Sequence, residues 1–261
     1  MILRRLTQSL KEQNWMAIVI EFVLLVIGVF LGIQVSNWNA ERETRQKSAV
    51  FTERLKADLR AEAWRYRFLL AYYQDVHDDA EAAADALSGK APLSNGQLLV
   101  NAYRATQYKQ QGAGSRATYD ELISTGNIDL IEDRKLLALA MRAYSLSTID
   151  NTVKEGVESP YRALFRMSVP NNTQRALARQ CGDRYIVPGD YRGYDHVIDY
   201  PCKLDLPQAD IDEAANALRT DPQTLRFLRQ RVADLETRLT DLTSNNRDVF
   251  EGFVAMFGQA P

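Results

Sequence analysis

The chain has 261 residues, enough for one large domain or two small ones, and its 46% apolar and 25% charged content excludes a disordered, collagenous or multi-span membrane protein. A formal net charge of −2 gives no basic footprint for nucleic acid, and two cysteines with two histidines leave little material for a structural zinc site. Low Gly and Pro with abundant Ala, Leu, Arg, Asp and Glu favours an all-α fold.

Residues 1–14 form a short basic segment carrying Arg4, Arg5 and Lys11. From Met16 to Ile33 every residue is apolar or Gly except Glu21, the length at which a transmembrane helix is expected, so residues 15–38 read as a span. Trp15 and Trp38 stand ~34 Å apart on a helix, slightly more than the ~30 Å hydrocarbon layer. With Asn37 and Asn39 they serve as interface anchors. The run is longer than a signal-peptide core and no small-x-small cleavage site follows it, which predicts an uncleaved signal-anchor. Three Lys and Arg precede the span and five follow closely (Arg42, Arg45, Lys47, Arg54, Lys56), a bias toward a cytoplasmic C-terminal side. Long C-terminal domains translocate largely regardless of that bias. Cys181 and Cys202 bracket one loop and fit a disulfide in an oxidising compartment, the alternative being two unrelated cytosolic thiols. The expectation is a periplasmic C-terminal domain.

At 100° per residue Glu21, Leu25, Gly28, Gly32, Val35, Ser36 and Asn39 share one stripe. Gly28 and Gly32 form a G-x-x-x-G pair for close helix packing in lipid, and the acid beside them faces a helix partner rather than acyl chains. Glu21 reads either as a neutral acid hydrogen-bonding across helices or as a proton or ion relay; with one acid in the span the packing reading is preferred.

Glu21, Val26, Gly28, Gln34, Asn37, Trp38 and Asn39 resemble an E-x-x-L-V-x-x-G…Q-x-N-N-W-N signature, and residues 118–127 (TYDELISTGN) followed by Leu130-Ile131 resemble a later motif of the same family. That family comprises small bacterial single-span membrane proteins with a domain of unknown function. Departures are Ile20, Ser36 and Ala40. The resemblance covers about residues 15 to 150, implies a membrane-anchored helical protein, and supplies no activity; the expected location is the bacterial inner membrane.

Residues 39–261 read as a helical domain. Leu55, Leu59, Glu62, Tyr66, Leu69, Tyr73, Val76, Ala80, Ala83 and Leu87 step by four and three like a coiled-coil seam, with Glu62 its one charged member. No Pro or Gly interrupts residues 33–88, so the span is expected to continue into this seam until Ser88-Gly89. A shorter interrupted helix covers 97–110 and 116–124, with Gly126 its stop. A third seam runs Leu136, Leu139, Ala143, Leu146, Asp150, Val153, Val157 and, past Pro160, Leu164 and Met167. The last is Leu225, Leu228, Val232, Leu235, Leu239, Leu242, Asn246, Val249, Phe253 and Met256, opened by Asp221-Pro222. Four stretches predict an antiparallel four-helix-bundle-like domain, with the C-terminal phenylalanines closing it rather than meeting lipid.

Only about 181–207 breaks the helical habit. Tyr185, Tyr191, Arg192, Tyr194 and His196 there suit a recognition patch, while a cap stapled by the cysteines is the preferred reading. His77 and Glu81 lie one turn apart but lack a third ligand, so no metal is expected; no phosphate loop, G-x-S-x-G or H-E-x-x-H occurs, and no cofactor or enzyme activity is expected. The sequence therefore points to a non-catalytic, membrane-anchored protein that contacts lipid and a partner, either itself or another membrane protein. An ion-coupled subunit and a ligand-sensing bundle are the rivals.

Overall fold

The computed structural model describes residues 15–109, 115–190, 193 and 197–258, and is all-helical with no strand among them. Two compact units are distinguished: residues 1–53 with 129–132, and residues 54–128 with 133–261. Helix α1 runs Trp15–Ser88. It is followed by α2 (Asn95–Arg104), α3 (Ala117–Ser124), a 3₁₀ turn (Ile128–Leu130), α4 (Arg134–Tyr144), α5 (Thr148–Glu158), α6 (Pro160–Ser168), α7 (Asn171–Cys181), α8 (Gln208–Thr220), α9 (Pro222–Thr240), a π turn (Asp241–Asn245) and α10 (Arg247–Phe257).

In the first unit the α1 side chains from Val19 to Val50 are exposed, apart from Ser48, which is half-buried. Ser48 Oγ donates to the Leu130 carbonyl at 2.6 Å, and Lys47–Glu43 pair one turn apart at 2.8 Å.

In the second unit the later part of α1 is the central element. Leu55, Leu59, Tyr66, Leu69, Tyr73, Val76, Ala80 and Ala83 are buried, and so are Trp64, Phe68 and Tyr72, which widens the expected seam into a helix covered on most sides. Around it α2 packs on α7 and α8, α9 on α5 and α6, and α10 on α4.

The local chemistry sets where these helices start and stop. Gly89 adopts φ +81° after α1, with Gly89 N–H donating to Ala86 O and Lys90 N–H to Asp85 O. Gly126 (φ +69°) ends α3 the same way, with Gly126 N–H on Ile123 O and Asn127 N–H on Leu122 O. Both are Schellman closures, in which only glycine takes the left-handed step at no steric cost. Ser94 and Gln97 form a reciprocal capping box at α2; Asp133 caps α4, and Ser159-Pro160 and Asp221-Pro222 open α6 and α9. The N-terminus of α3 is capped from outside: Asp58 of α1 accepts Thr118 N–H at 3.1 Å and Ser115 Oγ–H at 2.6 Å.

Where α2 ends, its carbonyls are met by cations from distant helices. Arg231 donates to Ala105 O (3.3 Å) and Gln107 O (3.1 Å), and Arg162 to Thr106 O (3.1 Å). Positive charge at a helix C-terminus satisfies the orphan carbonyls and complements the helix dipole.

Three expectations need correction. The third seam breaks at Ser145–Ser147, so α5 buries Ile149, Thr152 and Gly156 while Asp150 and Val157 face outward. Past Pro160 the buried residues are Tyr161, Leu164 and Phe165, and Met167 is 81% exposed. In α9 the buried face is Thr224, Leu228, Arg231 and Leu235, because Arg231 is drawn inward by the α2 carbonyls and Val232 is left half-buried. The π turn follows: Tyr66 Oη donates to Leu242 O (2.6 Å) and Asn246 Nδ2 to Asp241 O (2.8 Å), which satisfies carbonyls that an α-helical ladder would have used. The expected positions Leu242, within it, and Asn246, Val249 and Phe253, beyond it, are buried. Helices α7 and α8 carry no seam in the sequence reading.

Candidate functional site

Three places on the molecule combine functional residue types. The first is the apolar half of α1. It is long and apolar enough to cross a membrane, and none of its apolar stretch is buried by the described residues. Trp15 and Trp38 are both exposed, as are Glu21, Asn37 and Asn39. A Cβ placed on Gly28 or Gly32 meets nothing within 4 Å, so the stripe they share with Glu21 is open to a second surface.

The second place is a cleft of about 200 Å³ in the helical domain. Glu62 and Arg65 of α1 line its floor, 3.1 Å apart and both largely buried. Burial pushes the Glu62 carboxyl up, Arg65 partly offsets this, and the nearby Asp150 adds to the rise. Arg65 Nε is buried without an acceptor. Arg116 and Asp150 line the cleft beside them. Arg116 is held by Asp120 at 2.9 Å and lies over the Tyr144 ring at 5.7 Å. Tyr66, Ile149, Val249 and Phe253 supply the apolar wall, and desolvation raises the Tyr66 hydroxyl to about 12.

The third place is the irregular stretch between α7 and α8. Cys181 and Cys202 are paired in a disulfide, with Cα atoms 5.4 Å apart. The stretch is pinned from several sides: Trp64 Nε1 donates to Asp190 O (2.9 Å), and Tyr72 Oη and Lys109 Nζ reach Asp183 (3.1 and 3.2 Å). Tyr200 Oη donates to Gly182 O at 2.6 Å, under the Arg184 guanidinium 3.6 Å from its ring centroid. Tyr185 is 85% exposed. Tyr191, Arg192, Tyr194 and His196 lie outside the described residues.

No family model, curated protein or solved structure matches the chain.

His77 lies 3.0 Å from Asp78 Oδ1 and 3.6 Å from Glu236 Oε1, while Glu81 is exposed. Among the described residues no group of three or more His, Cys, Asp or Glu is placed to hold a metal ion.

The Glu62–Arg65 pair leaves one visible signal in the sequence, a charged residue on an apolar seam. Arg104 and Arg231 leave none in local pattern, because their partners are backbone carbonyls far along the chain.

Proposed function

We propose that this protein is a non-catalytic, single-span anchor of the bacterial inner membrane whose work is assembly, with residues 15–38 in lipid and the helical domain in the periplasm. The observation that carries this reading is the unburied apolar stretch of α1, bounded by exposed Trp15 and Trp38. In water, large apolar side chains at this density are costly; in a bilayer the same surface is the stabilising one. The open Gly28–Gly32 face, with Glu21 on the same stripe, supports self-association: small residues let two backbones approach, and an acid in lipid is best placed against a helix partner. The Cys181–Cys202 pairing supports an oxidising compartment for the domain. The residues shared with the single-span family are consistent with membership in it.

The test is fractionation of cells expressing the full chain. The protein is expected to stay with membranes after alkaline extraction and to be released only by detergent. A reporter fused after residue 261 is expected to be active in the periplasm. Recovery in the soluble fraction overturns the anchor, and a reporter active only in the cytoplasm overturns the orientation.

A further inference from the structure

A pocket of about 410 Å³ lies between α2, the irregular segment 201–204 and the start of α8, within the ~300–1,000 Å³ range of sites that take small organic ligands. The described residues that line it include two cations, Lys203 and Arg104, and no acid. A wall of one sign is a local exception in a chain of net charge −2, and it gives the pocket a positive potential. Lys203 is exposed and has no ion pair or hydrogen bond among the described residues. Arg104 is buried with its donors on backbone carbonyls and Asp79 4.0 Å away, so it supplies a partly offset field rather than a contact. Gln97 gives its Oε1 to Ser94 and, being exposed, keeps its Nε2 as a donor. A Cβ on Gly96 meets nothing within 4 Å, which leaves this part of the α2 wall bare. Val100, Leu204 and Ile211 supply apolar surface.

These features select a ligand. A free ammonium in the wall calls for negative charge, and a cationic ligand meets like charge there. An inorganic anion leaves the apolar wall uncovered, whereas hydrocarbon removed from water against it is stabilising. We propose that this pocket binds a small aliphatic monocarboxylate, its carboxylate on Lys203 and the Gln97 amide and its hydrocarbon against Val100, Leu204 and Ile211. The site does not depend on whether residues 15–38 lie in lipid, so it can fail while the anchor stands.

The test is amide NMR on the full chain in nonionic detergent micelles, titrated with hexanoate as probe. Hexylamine, of similar body and opposite charge, and acetate, which lacks the body, serve as comparators. Hexanoate is expected to shift the Gly96 and Lys203 amides saturably at millimolar concentration, and each comparator to bind at least ~10-fold more weakly. Lys203 is exposed and unpaired, so its variants retain the fold, checked by an unchanged unfolding temperature. Lys203→Glu is expected to weaken hexanoate at least ~10-fold, and Lys203→Arg to restore binding, since a point cation is what the carboxylate meets. Leu204→Ala is expected to weaken hexanoate and leave acetate unchanged. Absence of saturable shifts at these amides in the unaltered chain overturns the proposal. So does hexanoate binding that Lys203→Glu leaves intact, or binding shared equally by hexylamine or acetate.

Discussion

Arg104 donates Nη2 to the Tyr200 carbonyl at 2.7 Å and Nε to the Cys181 carbonyl at 3.4 Å, so one buried guanidinium grips both ends of the segment that the Cys181–Cys202 bond closes covalently. The same arginine stacks on Tyr200, 4.9 Å from its ring centroid, and faces Asp79 at 4.0 Å. Covalent and polar restraints therefore act on one loop. Reduction of the disulfide, or Cys202→Ser with Cys181→Ser, is expected to cost about 3 kcal/mol in the chain-entropy picture. Arg104→Met, which strands two buried carbonyls, is expected to cost about 2–3 kcal/mol. Because both changes free the same segment, the combined loss in thermal unfolding is expected to differ from additivity by about 0.5 kcal/mol or more; strict additivity refutes the shared-restraint reading.

Asp79 gives the domain a distinctive pH response. Burial raises its carboxyl to about 7, against the opposing pull of Arg104, with Asp199 and Asp75 adding to the rise. Folding thus takes up a proton between about pH 4 and pH 7. The stability this group contributes is fully present below its unfolded pKa and is lost as pH climbs through about 7, on the order of 4 kcal/mol at most. Asp79→Asn is expected to be more stable than the parent at pH 8 and nearly equal to it at pH 4. Unfolding temperatures measured on both proteins across that range check the sign, and parallel curves would remove Asp79 as the source.

Two glycines are expected to respond oppositely to alanine. A Cβ on Gly156 would sit 2.5 Å from Tyr108 Cβ, an atom fixed to its backbone, so Gly156→Ala should destabilise by about 1–3 kcal/mol. Gly96, in the first turn of α2, meets nothing within 4 Å, and Gly96→Ala should stabilise by about 0.5–1 kcal/mol. Denaturant midpoints for the two variants should fall on opposite sides of the parent.

Substitutions in the apolar stretch of α1 separate packing from relay. If Gly28 and Gly32 form the close-contact face, Gly28→Ile with Gly32→Ile should weaken self-association in a membrane reporter by on the order of 10-fold. Glu21→Gln keeps shape and hydrogen-bonding capacity and should keep association. Loss of a proton or ion flux with Glu21→Gln, association intact, would favour the relay instead.

Much of this fold was legible because burial on α1 follows a simple repeat. From Leu55 to Ala83 the expected seam positions are buried, and the stops at Gly89 and Gly126 are those that left-handed glycine dictates. Legibility failed where polar groups overrode hydrophobic phase. Thr224 and Arg231 displaced Leu225 and Val232 from the buried face of α9, since the carbonyls at the end of α2 needed a cation more than the core needed a valine. It failed again after Ala143, where the Ser145–Ser147 break restarts the helix on a new face. α7 and α8 bury mainly Ala and Thr beside Leu177, Ile211 and Leu218, too few large residues to mark a seam. The cleft lies at that same edge of readability. Glu62 stood out as a lone charge, but Asp150 and Arg116 join it only through tertiary packing.

The cap that Asp58 places on α3 has a kinetic consequence. An eight-residue helix is far below the ~12–15 residues at which an isolated helix becomes even marginal, and this one takes its first hydrogen-bond acceptor from a residue sixty positions upstream. Its amides can then be protected from solvent exchange only once α1 has formed and delivered that carboxylate. Exchange at Thr118 to Leu122 should accelerate in Asp58→Asn well beyond that of α9, so that the TYDELISTGN segment behaves as a late, dependent piece of the folding sequence rather than a nucleus.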